Sequence, residues 1–304
     1  MTNRLNLHID ESGSQDLSEG RYIVAVVLHE HSDDIGAAIA RYEERLSSAG
    51  LPDIPFHGKD LLHGNEGYRT VSPGDRKRLL VQFARFVREL PVAFFTLKYD
   101  GSSVHGRDEL ESRIRRDLAS LVFDKLAYFQ GFEAIAVYYD NGQGAVSAAL
   151  HDALDFVLAR NVADYRDADP AARRLLQAAD YICTVARISG DYDAGRQSRT
   201  HERFFGSRRN FTQSFKKQLD RKQLSWPGQP CKDKGAPEPA LRVAPEAALA
   251  TYHASNNKSP SARIERRGFH HASGLCNPRR SDHREASYFF FTTSLTVLVT
   301  VWVP

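Results

Sequence analysis

The chain has 304 residues, 41% of them hydrophobic and 26% charged, with a formal net charge of +3. That is an ordinary globular balance, long enough for one large core or two small ones. The charge is uneven: residues 225–304 carry 10 Lys/Arg against 6 Asp/Glu, which leaves 31 against 32 for residues 1–224. Bulk charge therefore excludes any argument for a nucleic-acid partner that does not rest on a local patch. The cysteines, Cys183, Cys231 and Cys276, lack C-x-x-C spacing, so a reducing cytoplasm without structural zinc is the expectation. MTNRLNLHIDE has no apolar stretch before its first acids, which predicts no secretory signal.

Residues 4–10 and 21–28 read as two strands joined by a short Gly-containing loop, an antiparallel hairpin. Ile35, Ala38, Ile39, Tyr42 and Leu46 set a helical stripe over 33–48. A loop broken by Pro52 and Pro55 follows. Ser72-Pro73 then opens a helix as cap and first helical residue, with Leu79, Leu80, Phe83, Phe86 and Val87 as its apolar side. VAFFTLKY, 92–99, predicts a third strand, and 108–130 a long helix. AIAVYYD, 134–140, is apolar on both faces, as a central strand covered on both sides would be. Helices near 145–160 and 170–188 complete the body, the second opened by Asp169-Pro170. Hairpin first, then strands interleaved with helices, predicts an α/β fold with a mixed sheet flanked by helices.

Asp10 closes the first strand and Asp140 the central one. If those strands are parallel neighbours, both acids lie at one sheet edge, where open α/β sheets bind ligands. In RLLQAADYICTVARI, Leu175, Leu176, Ala179, Ile182, Cys183 and Ala186 form a buried side. Gln177 and Asp180, three apart, project together beside it. A helix laid over the sheet end would bring Asp180 to Asp10 and Asp140. Two unit charges 4 Å apart repel by about 4 kcal/mol at an effective dielectric of 20. Such a cluster therefore calls for protonation or a cation. Mg²⁺ or Mn²⁺ suits carboxylate oxygens, and two such ions can clamp an in-line phosphoryl displacement. Neighbouring strand residues face opposite sides, so Glu11 is expected in the turn, with Gly13 permitting the bend, or else as a bystander. Taken singly, each acid also reads as an ordinary turn or ion-pair residue; Asp140-Asn141-Gly142 is a common turn sequence.

LHIDESGS followed by a hydrophobic strand, then FHGKDL, VYYDNG and LLQAADY, resembles the domain-of-unknown-function family 3800 over about residues 4–220. The resemblance implies a ribonuclease H-like fold, the superfamily of two-metal nucleases and integrases. It implies a site made of the Asp-Glu pair Asp10 and Glu11, the strand-end Asp140, and the Gln-x-x-Asp pair Gln177 and Asp180, with Ser12 and Gly13 completing the first motif. His57 falls where that family often has a loop histidine, which could protonate a leaving oxygen or contact phosphate, or simply be solvated. Lys59 could steady a scissile phosphate. NVADYRDAD is thin for a core strand, so an edge strand there is expected to be short or missing.

These readings assemble into an expected metal-dependent phosphodiester hydrolase, a nuclease with Mg²⁺ or Mn²⁺, probed through Asp10, Glu11, Asp140, Asp180 and His57 as catalytic residues. The four acids are the expected ligands, and Ser12, Gln177 and Lys59 the substrate-binding residues. One alternative is a catalytically silent ribonuclease H-like module that binds nucleic acid or protein. Another is a nucleotide-binding protein, suggested by GQG after a strand. That motif lacks its third glycine, Ser147 standing there, and no P-loop or G-x-S-x-G elbow occurs. In NFTQSFKKQLDRK, 210–222, Phe211, Phe215 and Leu219 share one face. Lys216, Lys217, Arg221 and Lys222 lie elsewhere, either a phosphate-tracking surface or a solvated one. Residues 1–224 are expected to be the domain. Residues 225–304 are expected to be a non-homologous tail, mostly disordered linker. It ends in an apolar segment over 288–303 that is short of a ~20-residue membrane span.

Overall fold

The computed structural model describes residues 3–15, 17, 20–139, 149, 152–153, 163–165 and 170–224, all within one compact unit, Met1–Ala254. Asp140 with its turn, most of the helix expected near 145–160, Asp169 and the tail from 225 lie outside the described residues.

The sheet has five strands in the order β3-β2-β1-β4-β5. β1 (Arg4–Ser12) and β2 (Arg21–Glu30) form the expected antiparallel hairpin, with Leu7 opposite Leu28 and Asp10 opposite Ala25. β3 (Ala93–Asp100) pairs antiparallel with β2, and β4 (Ala134–Tyr139) pairs parallel with β1. β5 (Ala163–Tyr165) is three residues long and parallel to β4, the short edge strand that NVADYRDAD predicted. At the other edge, residues 222–224 run beside β3. There Phe94 N–H donates to Lys222 O at 3.1 Å and Leu224 N–H to Phe94 O at 2.8 Å. This shields backbone groups that an open edge would offer to other chains.

Each face of the sheet carries a core. Ile23, Ala25 and Val27 of β2 face α1 (Gly36–Ser48), α3 (Pro73–Glu89) and the long α6 (Pro170–Asp193), through Tyr42, Leu80, Phe83, Ala179 and Ile182. Leu5, Leu7 and Ile9 of β1, with Val24 and Val26, face α4 (Arg107–Asp124) through Leu110, Ile114 and Leu118. α3 starts as its sequence dictates: Ser72 Oγ accepts from Asp75 N–H at 3.1 Å, and Pro73 fills the first position. The helix expected over 108–130 is broken at Lys125 into α4 and α5 (Leu126–Gln130). The loop expected after residue 50 contains α2 (Gly58–His63), too short for its periodicity to show. α7 (Arg199–Phe205) was not expected either. Residues 208–220 form α8 (Arg208–Phe211), a π turn (Thr212–Lys216) and α9 (Lys217–Asp220), with Phe211, Phe215 and Leu219 buried together as predicted. Three of the basic residues there have protein partners: Arg208 with Asp193, Lys216 with Asp220, and Lys222 Nζ on Leu90 O. No helix among the described residues is long and apolar enough to cross a membrane.

His8 sits on the α6 side of β1, 1% exposed and stacked on Tyr138 at 4.5 Å, with neither ring nitrogen hydrogen-bonded. Burial, reinforced by His29, lowers its pKa from 6.5 to about 3. The folded protein thus refuses a proton that the unfolded chain accepts below pH 6.5. This histidine costs nothing by linkage above that pH, and stability falls as pH drops from there towards about 3, by about 1.4 kcal/mol per pH unit. His8→Phe keeps the stack and removes the titration. Its melting temperature is expected to exceed the wild type's at pH 4 by more than at pH 7.5; an equal difference at both pH values would contradict this.

Candidate active site

β1 and β4 are parallel neighbours with Ile9 opposite Tyr139, so their carboxyl ends share one edge. Asp10 follows Ile9 there. Asp140 follows Tyr139 in sequence and lies outside the described residues. A cavity of about 360 Å³ opens at this edge. Asp10, Glu11, Ser12 and Gly13 line it from β1 and its turn, His57, Lys59 and His63 from α2 and the residue before it, Asp180, Thr184 and Arg187 from α6, and His201 from α7. A cavity of about 420 Å³ lies at the opposite end of β1, around Arg4, His8 and His31. The carboxyl-end cavity is the one where strand ends deliver side chains to a ligand.

Asp180 is held from two sides. Gly58 N–H donates to its Oδ2 at 3.0 Å, and Thr184 Oγ, one turn on, donates to its Oδ1 at 3.2 Å. Burial raises its pKa, against the pull of His57, the Gly58 amide and the Thr184 hydroxyl. Only glycine fits at 58: a Cβ there would lie 1.9 Å from Thr184 Oγ1. Gln177 is not among the cavity-lining residues. Its Oε1 accepts from Phe56 N–H at 3.2 Å and from Arg174 Nη1 at 3.3 Å. The Gln-x-x-Asp pair thus captures the amides of residues 56 and 58, pinning the loop that carries His57 against α6. Arg174 anchors the same loop through Asp53 at 2.6 Å.

Glu11 departs from the expectation that it lies in the turn. β1 continues to Ser12, and Glu11 stays in the sheet opposite Val24. By alternation its side chain takes the α4 face while Asp10 takes the α6 face. Tyr22 donates its hydroxyl to Glu11 Oε2, and Tyr139 also hydrogen-bonds this carboxylate. Oε1 is buried without a hydrogen-bond partner. Burial raises the pKa of Glu11, and the two tyrosine hydroxyls oppose that rise. The buried Cys183 lies between the acids: its Sγ donates to Asp10 O at 3.3 Å. Burial and the charges of Asp10, Asp180 and Glu11 all push its thiol up. Acids from the first strand and the late helix therefore converge on one place.

Facing them is a basic wall. His57 is largely exposed, its Nδ1 2.8 Å from Asp60 Oδ2. Lys59 is exposed at the rim, and Arg187 Nη1 donates to Ser12 Oγ at 3.2 Å. His63, Arg187 and His201 were not singled out from the sequence. His63 belongs to the short α2, and only the spacing Asp180, Thr184, Arg187, one stripe at i, i+4, i+7, carried a signal for the arginine. Among the described residues no group of three or more His, Cys, Asp or Glu is close enough to hold a metal ion. The donors Asp10 and Asp180 are nonetheless of the kind a hard divalent cation takes, carboxylates lining one cavity. No family model matches the chain, and no curated protein matches it.

Proposed function

We propose that residues 1–224 form a ribonuclease H-like domain of the domain-of-unknown-function family 3800 kind, acting as a divalent-metal-dependent phosphodiester hydrolase, a nuclease. The observation that carries this reading is the convergence of Asp10 and Asp180 with His57 and Lys59 on one cavity at the carboxyl end of β1. The mixed five-stranded sheet with its leading hairpin is compatible with such a fold.

Asp10 and Asp180, with Asp140, would hold Mg²⁺ or Mn²⁺, and Glu11, on the other face of β1, would steady the strand end rather than bind the ion. When bound, such ions supply a nucleophile at neutral pH and charge neutralisation at the phosphoryl oxygens. The chain's own residues set the rest. Gly58 N–H and Thr184 Oγ fix the rotamer of Asp180, and Cys183 fixes the backbone at Asp10. His57, whose Nδ1 lies 2.8 Å from Asp60 Oδ2, would give a proton to the leaving oxygen. Lys59 and Arg187 offset phosphate charge. A silent binding module is the second reading, favoured by the engagement of both Asp180 oxygens with protein donors.

The test is incubation of the full chain with labelled DNA, RNA and hybrid substrates, with and without Mn²⁺. Cleavage of at least one substrate only with metal is expected. Binding of a substrate without cleavage under any condition would favour the silent module.

A further inference from the structure

One face of β1 is apolar, Leu5, Leu7 and Ile9, while the face towards α6 carries Asn6, His8, Asp10 and Ser12. Asp10 and Ser12 line the carboxyl-end cavity. Asn6 and His8 line the separate cavity of about 420 Å³ at the other end of the strand. They are only 5% and 1% exposed. His29 orients Asn6. Its Nε2 lies 2.8 Å from Asp33 O, a carbonyl that can only accept, so Nε2 carries the proton. Burial keeps that ring neutral, which makes Nδ1 an acceptor. Asn6 Nδ2 donates to it at 3.5 Å, and Asn6 Oδ1 is left buried without a hydrogen-bond partner among the described residues. His8 packs the face of its ring on Tyr138, its neighbour in register on β4, and both its nitrogens are in the same position. A neutral imidazole offers one donor and one acceptor. Arg4 Nε, on the same cavity, is a further buried donor without a partner.

Buried polar groups in folded proteins are hydrogen-bonded, so a row of them on a central strand calls for a partner. Ile35, Ile39 and Leu175 supply apolar walls, and apolar walls with a few placed polar groups suit a small molecule. A metal ion fits poorly: both nitrogens of His29 are engaged, and His31 Nδ1 lies 3.0 Å from Arg4 Nη2. A phosphate fits poorly too, because Arg4 and His31, even both charged, would only balance Asp33 and Asp34. We infer that this cavity is a second ligand site, separate from the carboxyl-end cavity, for a neutral nucleoside whose base pairs its edge with Asn6 Oδ1 and the His8 imidazole. A base edge is flat and uncharged and sets donors beside acceptors, which is the complement of these groups.

The experiment is titration calorimetry of the full chain, in EDTA, with uridine, cytidine, adenosine and guanosine. At least one is expected to bind with a Kd below about 1 mM. H8F keeps the stack on Tyr138 and removes both nitrogens; it is expected to weaken that nucleoside at least about tenfold, the scale of a hydrogen bond lost in a desolvated site. N6A, which removes the acceptor, carries the same expectation. The 5′-monophosphate of the same nucleoside should bind no tighter than the nucleoside, and D10N should bind it as wild type does. Binding of none of the four would leave the polar row to ordered water and overturn the inference. So would wild-type affinity in both H8F and N6A, a monophosphate at least about tenfold tighter, or loss of binding in D10N, which would place the nucleoside at the carboxyl end instead.

Discussion

Asp10→Asn is expected to reduce Mn²⁺-dependent cleavage by at least about a thousandfold, the scale of one ~4 kcal/mol transition-state interaction. The substitution keeps the size of the side chain, removes its charge and exchanges one acceptor oxygen for an amide NH₂. The backbone oxygen of Asp10 still accepts from Cys183, and β1 still pairs with β2 through Ala25. Folding should therefore survive, checked by an unchanged circular dichroism spectrum and a melting temperature near wild type. Asp140→Asn carries the same expectation. Asp180→Asn is a poorer test, because its amide nitrogen cannot accept from Gly58 N–H or Thr184 Oγ and would disturb the loop as well as the charge. Cleavage by D10N and D140N at the wild-type rate would remove the carboxylates from the chemistry.

Gly58→Ala is expected to lower stability by about 3 kcal/mol. The new Cβ would lie 1.9 Å from Thr184 Oγ1 and 3.0 Å from Thr184 Cβ, so loop and helix must separate. Overpacking of this kind costs about 1–3 kcal/mol. Separation also strips a half-buried carboxylate of a hydrogen bond, worth about 1 kcal/mol more. Thr184→Ala removes the nearest clashing atom at the cost of the Asp180 hydrogen bond. The double substitution G58A/T184A should therefore be less destabilised than the sum of the two singles, as urea unfolding of all four proteins would measure. Strict additivity would mean that the two residues do not oppose each other across this contact.

Much of the frame was legible in the chain. Alternation of Leu5, Leu7 and Ile9 against Asn6, His8 and Asp10 fixed which face Asp10 takes, and the helical stripe of α6 fixed Asp180 beside a buried side. Both signals are local and periodic, and burial enforces them. Two adjacent acids suggest the end of a strand, yet β1 runs on through Glu11 to Ser12, which leaves the turn reading aside and the bystander reading open. A tyrosine hydroxyl from β2 instead satisfies one Glu11 oxygen inside the sheet, a compensation made by a residue 11 positions away. α2 was missed because six residues cannot display a helical period. With it went His63 and the capture of the Phe56 and Gly58 amides by Gln177 and Asp180. Those bonds join residues more than 120 positions apart through backbone groups, which leave no mark in side-chain identity.

Titration calorimetry of the full chain with Mn²⁺ tests the central claim most directly. Saturable binding to the wild-type protein that is weakened at least tenfold in D10N is the predicted result. Indistinguishable isotherms for the two proteins, or no heat with either, would contradict a divalent cation held by these acids.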